Sequence, residues 1–280
     1  GWAGWCSTNF EWSPYEKNLA VAQAMDAARA WISTDGLKSW HYASSEQTHP
    51  WLGGEDVAFA KDGTIYLSTG QHDQNNGVFR SGDRGATWRM FAGPKHGLPE
   101  HGWGKRPGYN GIHTHPDDSS RAWVTAGGRV YHTRDGGEQW GVLGSAPDGA
   151  TYIAADPTDA DRFYVAAKDG VYVTTDGETF TNIGGPRPAG RGRINCDARG
   201  RVLVCQWREG RSGVWRYDPE RNEWDRLLDE HLAYEVNADP SDPTRLLMIT
   251  AQDPFNDLAG GNGVWISGDD GKSWAAANEG

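Results

Sequence analysis

The reactive side chains of this 280-residue chain gather in segments without regular pattern, where carboxylates, imidazoles, guanidinium groups and indoles fall close together. Asp26 stands in QAMDAARAW, Glu55 in WLGGED and Asp253 in AQDPFND, with Asp73 beside His72 in GQHDQNN. Two carboxyl groups held roughly 5–9.5 Å apart cleave glycosidic bonds, one as acid and the other as base or nucleophile. Asp26, Glu55 and Asp253 are the catalytic candidates on that ground. Exposed rings stack on apolar sugar faces while planar polar groups hold hydroxyls. Trp51, His72, His101, Trp103, Arg106, Tyr109, Asn110, His113, Arg191 and Trp207 supply those types and are the substrate-binding candidates.

A second chemistry fits some of the same residues. A polysaccharide lyase needs a base, often His or Tyr, and a cation that neutralises a uronate carboxylate. His72, His101, His113, Tyr109 and Arg106 have the right groups. No HExxH, paired CxxC, Gly-rich phosphate loop or GxSxG element occurs, so metalloprotease, zinc-finger, nucleotide-binding and α/β-hydrolase chemistries are not expected. Neither a metal nor a cofactor is expected. Cys196 and Cys205 lie at unequal distances from the turn between them, so free, buried thiols are expected.

These segments interrupt a repeat. SGDRGATW from Ser81 returns as SGDDGKSW from Ser267, with variants STDGLKSW from Ser33 and TRDGGEQW from Thr133. TTDGETF from Thr174 is a shortened copy, and YDPERNEW from Tyr217 a degenerate one. The aspartates Asp35, Asp83, Asp135, Asp176, Asp218 and Asp269 are 48, 52, 41, 42 and 51 residues apart, the period of a four-stranded propeller blade. An apolar–aromatic pair precedes each turn, Val78-Phe79 and Val264-Trp265 among them, and reads as a third strand. With 15 Trp and 38 Gly but only 37% hydrophobic residues, many short strands joined by tight turns are favoured over a helix-packed core. The expected fold is all-β: one six-bladed β-propeller over residues 1–280, of four-stranded antiparallel blades. The alternative is part of a seven-bladed or two-propeller protein. Alternating strand direction puts the A–B turns and the Asp turns at one end of each blade, and the B–C loops and D–A links at the other. Nearly all the candidates fall in the second set, where long loops on a rigid scaffold carry function.

The six turns resemble the Asp-box, or bacterial neuraminidase, repeat of a propeller superfamily that includes sialidases, xyloglucanases, sortilin-type receptors and photosynthetic assembly factors. The resemblance covers nearly the whole chain and implies that the box aspartates cap turns rather than catalyse. Asp26 is similar in context to the catalytic base of the xyloglucanase first blade, with Ala27-Ala28-Arg29 where that branch has Gly-Gly. In that branch a second propeller supplies the acid. The sialidase pattern is met less well: Arg106, Arg191, Arg193 and Tyr109 supply residue types, but no Arg-Ile-Pro motif occurs. The resemblance implies a carbohydrate-active propeller, foremost a glycoside hydrolase. A uronate lyase and a non-catalytic binding or assembly propeller are the alternatives.

A formal net charge of −11 gives no general attraction to nucleic acid or to anionic membranes. No apolar run is long enough for a transmembrane helix. The expected partner is a polysaccharide or oligosaccharide met outside the cell or in a periplasm, with further domains of a longer chain as a second expectation. The chain begins at Gly1, as a processed or excised form would.

Overall fold

A computed structural model describes residues 7–24, 30–42, 54–69, 77–99, 109–186, 193–206, 213–229, 232–250 and 263–277. Each repeat folds as one antiparallel four-stranded sheet. Blade 1 is β1 (Ser7–Trp12), β2 (Ala20–Ala24), β3 (Ala30–Ser33) and β4 (His41–Tyr42); blade 2 is β5 (Gly54–Phe59), β6 (Ile65–Thr69), β7 (Gly77–Ser81) and β8 (Arg89–Phe91). Blade 3 is β9 (Tyr109–Thr114), β10 (Ala122–Ala126), β11 (Arg129–Thr133) and β12 (Gly141–Val142). Blade 4 is β13 (Ile153–Ala155), β14 (Phe163–Ala167), β15 (Gly170–Thr174) and β16 (Thr181–Gly184). Blade 5 is β17 (Ile194–Cys196), β18 (Val202–Gln206), β19 (Gly213–Asp218) and β20 (Glu223–Leu228); blade 6 is β21 (Ala233–Ala238), β22 (Leu246–Thr250), β23 (Val264–Ser267) and β24 (Ala275–Ala276). The six blades are arranged as a β-propeller, and the only helical element among the described residues is a 3-10 turn over Pro94–His96.

The chain divides into two compact units, residues 1–151 and 152–280, with three blades each. In the first unit, strand alternation shares one strand between two cores. Ile65 and Leu67 of β6 pack with Leu19, Val21 and Ile32 of blade 1, while Tyr66 turns the other way to Ile112, Val124 and Trp140 of blade 3. That sandwiching leaves β6 buried along its whole length. In the second unit, Tyr164 and Val171 pack with Ile194, Val204 and Tyr217, and Leu203 and Val214 with Val236, Leu246 and Met248. First strands touch first strands within each unit: β1 with β5 and β5 with β9, then β13 with β17 and β17 with β21.

The Asp turns close by local hydrogen bonds. Asp83 Oδ1 accepts from Ser81 Oγ at 2.8 Å and from Thr87 N at 2.8 Å, and its Oδ2 from Thr87 Oγ1 at 2.6 Å. Asp35, Asp176 and Asp269 repeat this pattern on their own turns, and Asp135 repeats its Oδ1 half, accepting from Thr133 Oγ1 and Gln139 N. The degenerate Asp218 instead takes the Glu220 N–H and the Arg221 side chain. Gly85 is required in its turn: φ is +82°, and a Cβ would stand 2.0 Å from Ile32 Cδ1. Trp88 donates its indole N–H to the Gly85 carbonyl at 2.9 Å and buries its ring between blades 1 and 2.

Cys196 and Cys205 are free, Cys205 fully buried and Cys196 partly so. In register they face Val202 and Val214 rather than each other. Among the described residues no helix is long and apolar enough to cross a membrane.

Candidate functional site

The end of each blade that bears the B–C loops and D–A links begins where the first strand begins. Four of these first strands open on a β-bulge: at Thr8 in β1, Glu55 in β5, the Asn110–Gly111 stretch in β9 and Tyr234 in β21. A bulge adds one residue and re-aims the side chains around it. Below the bulge the six strands run in common register. Ser13, Ala60, His115, Asp156, Asp197 and Asp239 each open an A–B turn through a backbone hydrogen bond, and four residues upstream stand Asn9, Asp56, Gly111, Tyr152, Arg193 and Glu235.

In the first unit this position is a relay of hydrogen bonds. Asn9 Nδ2 donates to Asp56 Oδ1 at 2.5 Å, Val57 N donates to the same oxygen at 3.0 Å, and Ile112 N donates to Asp56 Oδ2 at 3.0 Å. One carboxylate thus joins the first strands of three blades. In the second unit the position carries larger groups. The Arg193 guanidinium lies 4.7 Å from the centre of the Tyr152 ring, and its Nε is 3.8 Å from Glu235 Oε2. The Arg193 backbone N–H donates to the Tyr234 carbonyl at 3.2 Å, and Asn237 Nδ2 to Glu235 Oε1 at 3.1 Å. Arg193 is only 5% exposed, so its charge sits where water screens little.

Four of the thirteen sequence candidates fall among the described residues. Glu55 is buried in the β5 bulge, next to the clamp residue Asp56. Asn110 is the second residue of β9, and its carbonyl accepts from Ser68 Oγ. Tyr109 is fully buried; its hydroxyl donates to the Pro99 carbonyl at 2.7 Å, and burial pushes its pKa up. His113 lies near the other end of β9, stacked on Trp123 at 5.6 Å between ring centres. Burial, with His115 adding to it, pushes the His113 imidazole down to about 3. Four residues of strand, roughly 13 Å at 3.3 Å per residue, separate Tyr109 from His113, so the structure does not bring these two lyase candidates together. Asp26, Trp51, His72, His101, Trp103, Arg106, Arg191, Trp207 and Asp253 lie outside the described residues.

One placement differs from expectation. The D–A links were expected at the B–C end, and Lys95 and His96 belong to the link from blade 2 to blade 3. Instead the 3-10 turn docks on the Asp turn of blade 3. Trp140 N donates to the His96 carbonyl at 2.9 Å, His96 Nδ1 meets the Glu138 carbonyl at 3.0 Å, and Gln139 Nε2 donates to the Lys95 carbonyl at 3.3 Å. The reason is Gly97, at φ +73°, where a Cβ would stand 1.8 Å from the Trp140 carbonyl oxygen. Sequence reading also missed Asp56, Tyr152, Tyr234 and Glu235. Their available signal was position, counted back from each A–B turn.

The ring and the guanidinium are each 5% exposed and cover one another, and the Glu235 carboxylate beside them, 19% exposed at its side chain, is the group of the three with most access to solvent. Among the described residues no cluster of three or more His, Cys, Asp or Glu is placed to hold a metal.

Comparison with protein-family models and with curated proteins finds no match. Solved structures do match. A GH74 enzyme of Niastella koreensis superposes with a TM-score of 0.74 at 18% identity, over 98% of this chain and 45% of that one. The GH74 xyloglucanase of Xanthomonas campestris gives 0.74 at 20% identity, over 98% and 45%. YCF48 bound to D1 peptide gives 0.66 at 13% identity, over 97% and 82%. The chain therefore spans a little under half the length of the two GH74 proteins. At these identities the likeness establishes the propeller fold.

Proposed function

We propose that this chain is an Asp-box propeller acting on carbohydrate, as a glycoside hydrolase that cleaves an extracellular polysaccharide or oligosaccharide with paired carboxylates. The observation that carries the reading is Arg193, held between the Tyr152 ring and the Glu235 carboxylate at the loop-bearing end of the second unit. On this reading the buried Tyr152–Arg193 pair positions the Glu235 carboxylate to accept from sugar hydroxyls. The likeness to two GH74 enzymes supports the choice of substrate class. On this reading Asp26 is the base and Glu55 or Asp253 its partner; one carboxyl protonates the leaving oxygen while the other activates water or attacks the anomeric carbon. Trp51, Trp103 and Trp207 stack on the glycan, and His72, His101, Arg106, Asn110 and Arg191 hold its hydroxyls. Incubation with xyloglucan and a polysaccharide panel, followed for reducing ends and for unsaturated products, tests this. Reducing ends lost in Asp26→Asn, with binding kept, are expected. Unsaturated products would move the assignment to lyase chemistry around His101 and Tyr109.

A second reading has its own support. The peptide-bound YCF48 structure is covered over 82% of its length, against 45% for the GH74 enzymes. A single propeller of that size that binds a peptide and cleaves nothing is the outcome if the polysaccharide panel yields neither product nor binding.

A further inference from the structure

The first unit carries a cleft at the opposite end of its blades, among the A–B turns. It lies between the turn of blade 1, from Ser13 to Leu19, and that of blade 2, from Ala60 to Gly63, with a volume of about 240 Å³. Its lining is mixed, with the buried apolar side chains of Leu19 and Phe59 beside polar turn residues. Tyr15 forms one wall with 40% of its surface exposed, and Lys61 and Glu16 stand at the rim. Of the three charged residues that line the cleft, Lys61 and Glu16 have ionic partners, and the third, Asp62, accepts the Thr64 N–H through Oδ1 at 2.9 Å. Lys61 Nζ lies 3.0 Å from Asp117 Oδ1 in the A–B turn of blade 3, and Glu16 pairs with Arg84. An anion would have to displace Asp117 from Lys61, whereas a neutral molecule can hydrogen-bond to all three groups as they stand. Ser13 Oγ accepts the N–H groups of Tyr15 and Glu16 at 3.3 and 3.0 Å, which leaves its proton to donate. Burial raises the Tyr15 pKa, so its hydroxyl stays protonated and can donate too. One half-exposed ring among hydrogen-bonding side chains suits a molecule with a hydrophobic face and several hydroxyls.

We propose that this cleft is a separate binding site for one neutral sugar ring, with Tyr15 as its stacking platform. Pockets for drug-sized ligands run roughly 300–1,000 Å³, so about 240 Å³ admits a single ring rather than an oligosaccharide. The ligand class rests on the carbohydrate reading above; the location does not, because the A–B turns and the B–C loops lie at opposite ends of every antiparallel blade.

The test is an amide NMR titration of the whole chain with xylose, glucose and galactose separately. Saturable millimolar shifts at residues 13–19 and 60–63 are expected with at least one of them. Tyr15→Leu keeps the apolar wall but removes the ring, and weakens that binding by about tenfold, the worth of one ring contact; Tyr15→Phe retains it. Lys61→Met weakens binding less and serves if the Tyr15 variants are poorly folded. Trp103→Ala, a change in the glycan site proposed above, leaves these shifts unchanged. No shift at these amides with any of the three sugars, or shifts indifferent to Tyr15→Leu, overturns the proposal. Cleft shifts combined with an inert polysaccharide panel would instead sink the hydrolase reading and spare this one.

Discussion

Counted from the A–B turn, one strand position holds Asn9 and Asp56 in the first unit, and Tyr152, Arg193 and Glu235 in the second. The backbone slot is the same, yet its use differs. Asp56 is consumed by main chain: two of its three named donors are the N–H groups of Val57 and Ile112. A carboxylate so engaged holds blades together and has little left for a ligand. In the second unit, Arg193 and Glu235 meet side chains, and the ring of Tyr152 completes the set. Equivalent positions thus divide by whether the partner is backbone, which fixes architecture, or side chain, which leaves room for recognition.

The sharpest way to break this comparison is Arg193→Ala. It leaves the Glu235 carboxylate, 19% exposed at its side chain, without its cationic partner. Removing one member of a buried pair costs about 3–5 kcal/mol, and denaturant unfolding should show a loss of that order. The double variant Arg193→Met with Glu235→Leu separates stability from recognition. Apolar replacement of both partners should restore much of the stability, while glycan binding stays lost. If binding survives in the double variant, the second-unit set is architectural, as Asp56 is.

Next in size is Asp56→Ala. It orphans the Ile112 N–H at the junction of β5 and β9, and a buried donor left unmade costs about 1–3 kcal/mol. Melting should register the loss, with glycan affinity unchanged. A fall in affinity at constant stability would give the first-unit slot a ligand-facing role as well.

The blades were legible in the sequence because their signal is local. Ser81, Asp83, Gly85 and Trp88 meet through hydrogen bonds that span at most four residues, so the spacing of the motif is the spacing of the contacts. The pair Val78-Phe79 marked β7 for the same reason. The inner positions were not legible, because they depend on register. One extra residue at the β5 bulge decides that Asp56, and not its neighbour Glu55, reaches Asn9 and Ile112. The Arg193–Glu235 contact joins two blades, and no local pattern announces it. His113 read as a link residue because its segment is rich in His and Gly; strand pairing sets it opposite Trp123 instead, where the two rings stack.

A smaller effect is expected where the units do not differ, in the Asp turns. Asp83→Ala removes the acceptor for the Thr87 N–H and, by analogy with helix caps, costs about 0.5–2 kcal/mol. Asp269→Ala in the second unit should cost a similar amount. A difference between them larger than the measurement error would show that the turns, too, have diverged.

The smallest expected effect is on pH dependence, and it probes both units at once. Asp35 in the first unit is held at about 2, chiefly by the Ser39 hydroxyl and then by the Ser39 N–H. Asp269 in the second is held at about 2 by the same two groups of Ser273. The ordinary aspartate value is about 3.9. A carboxylate depressed by folding stabilises the native state above the unfolded value, and that contribution fades as pH falls from about 4 through 2. Both groups are solvent-exposed, so water replaces much of what protonation removes, and the change in overall stability should be slight. The site-specific titration is nonetheless distinct. Carboxyl carbon shifts of Asp35 and Asp269 should report midpoints near 2 in both units, and Ser39→Ala or Ser273→Ala should raise only the midpoint of its own turn. A midpoint near 4 at either aspartate in the unmutated chain would mean that this turn is not closed by its carboxylate in solution, and the two units would then differ at their turns as well as at their inner strands.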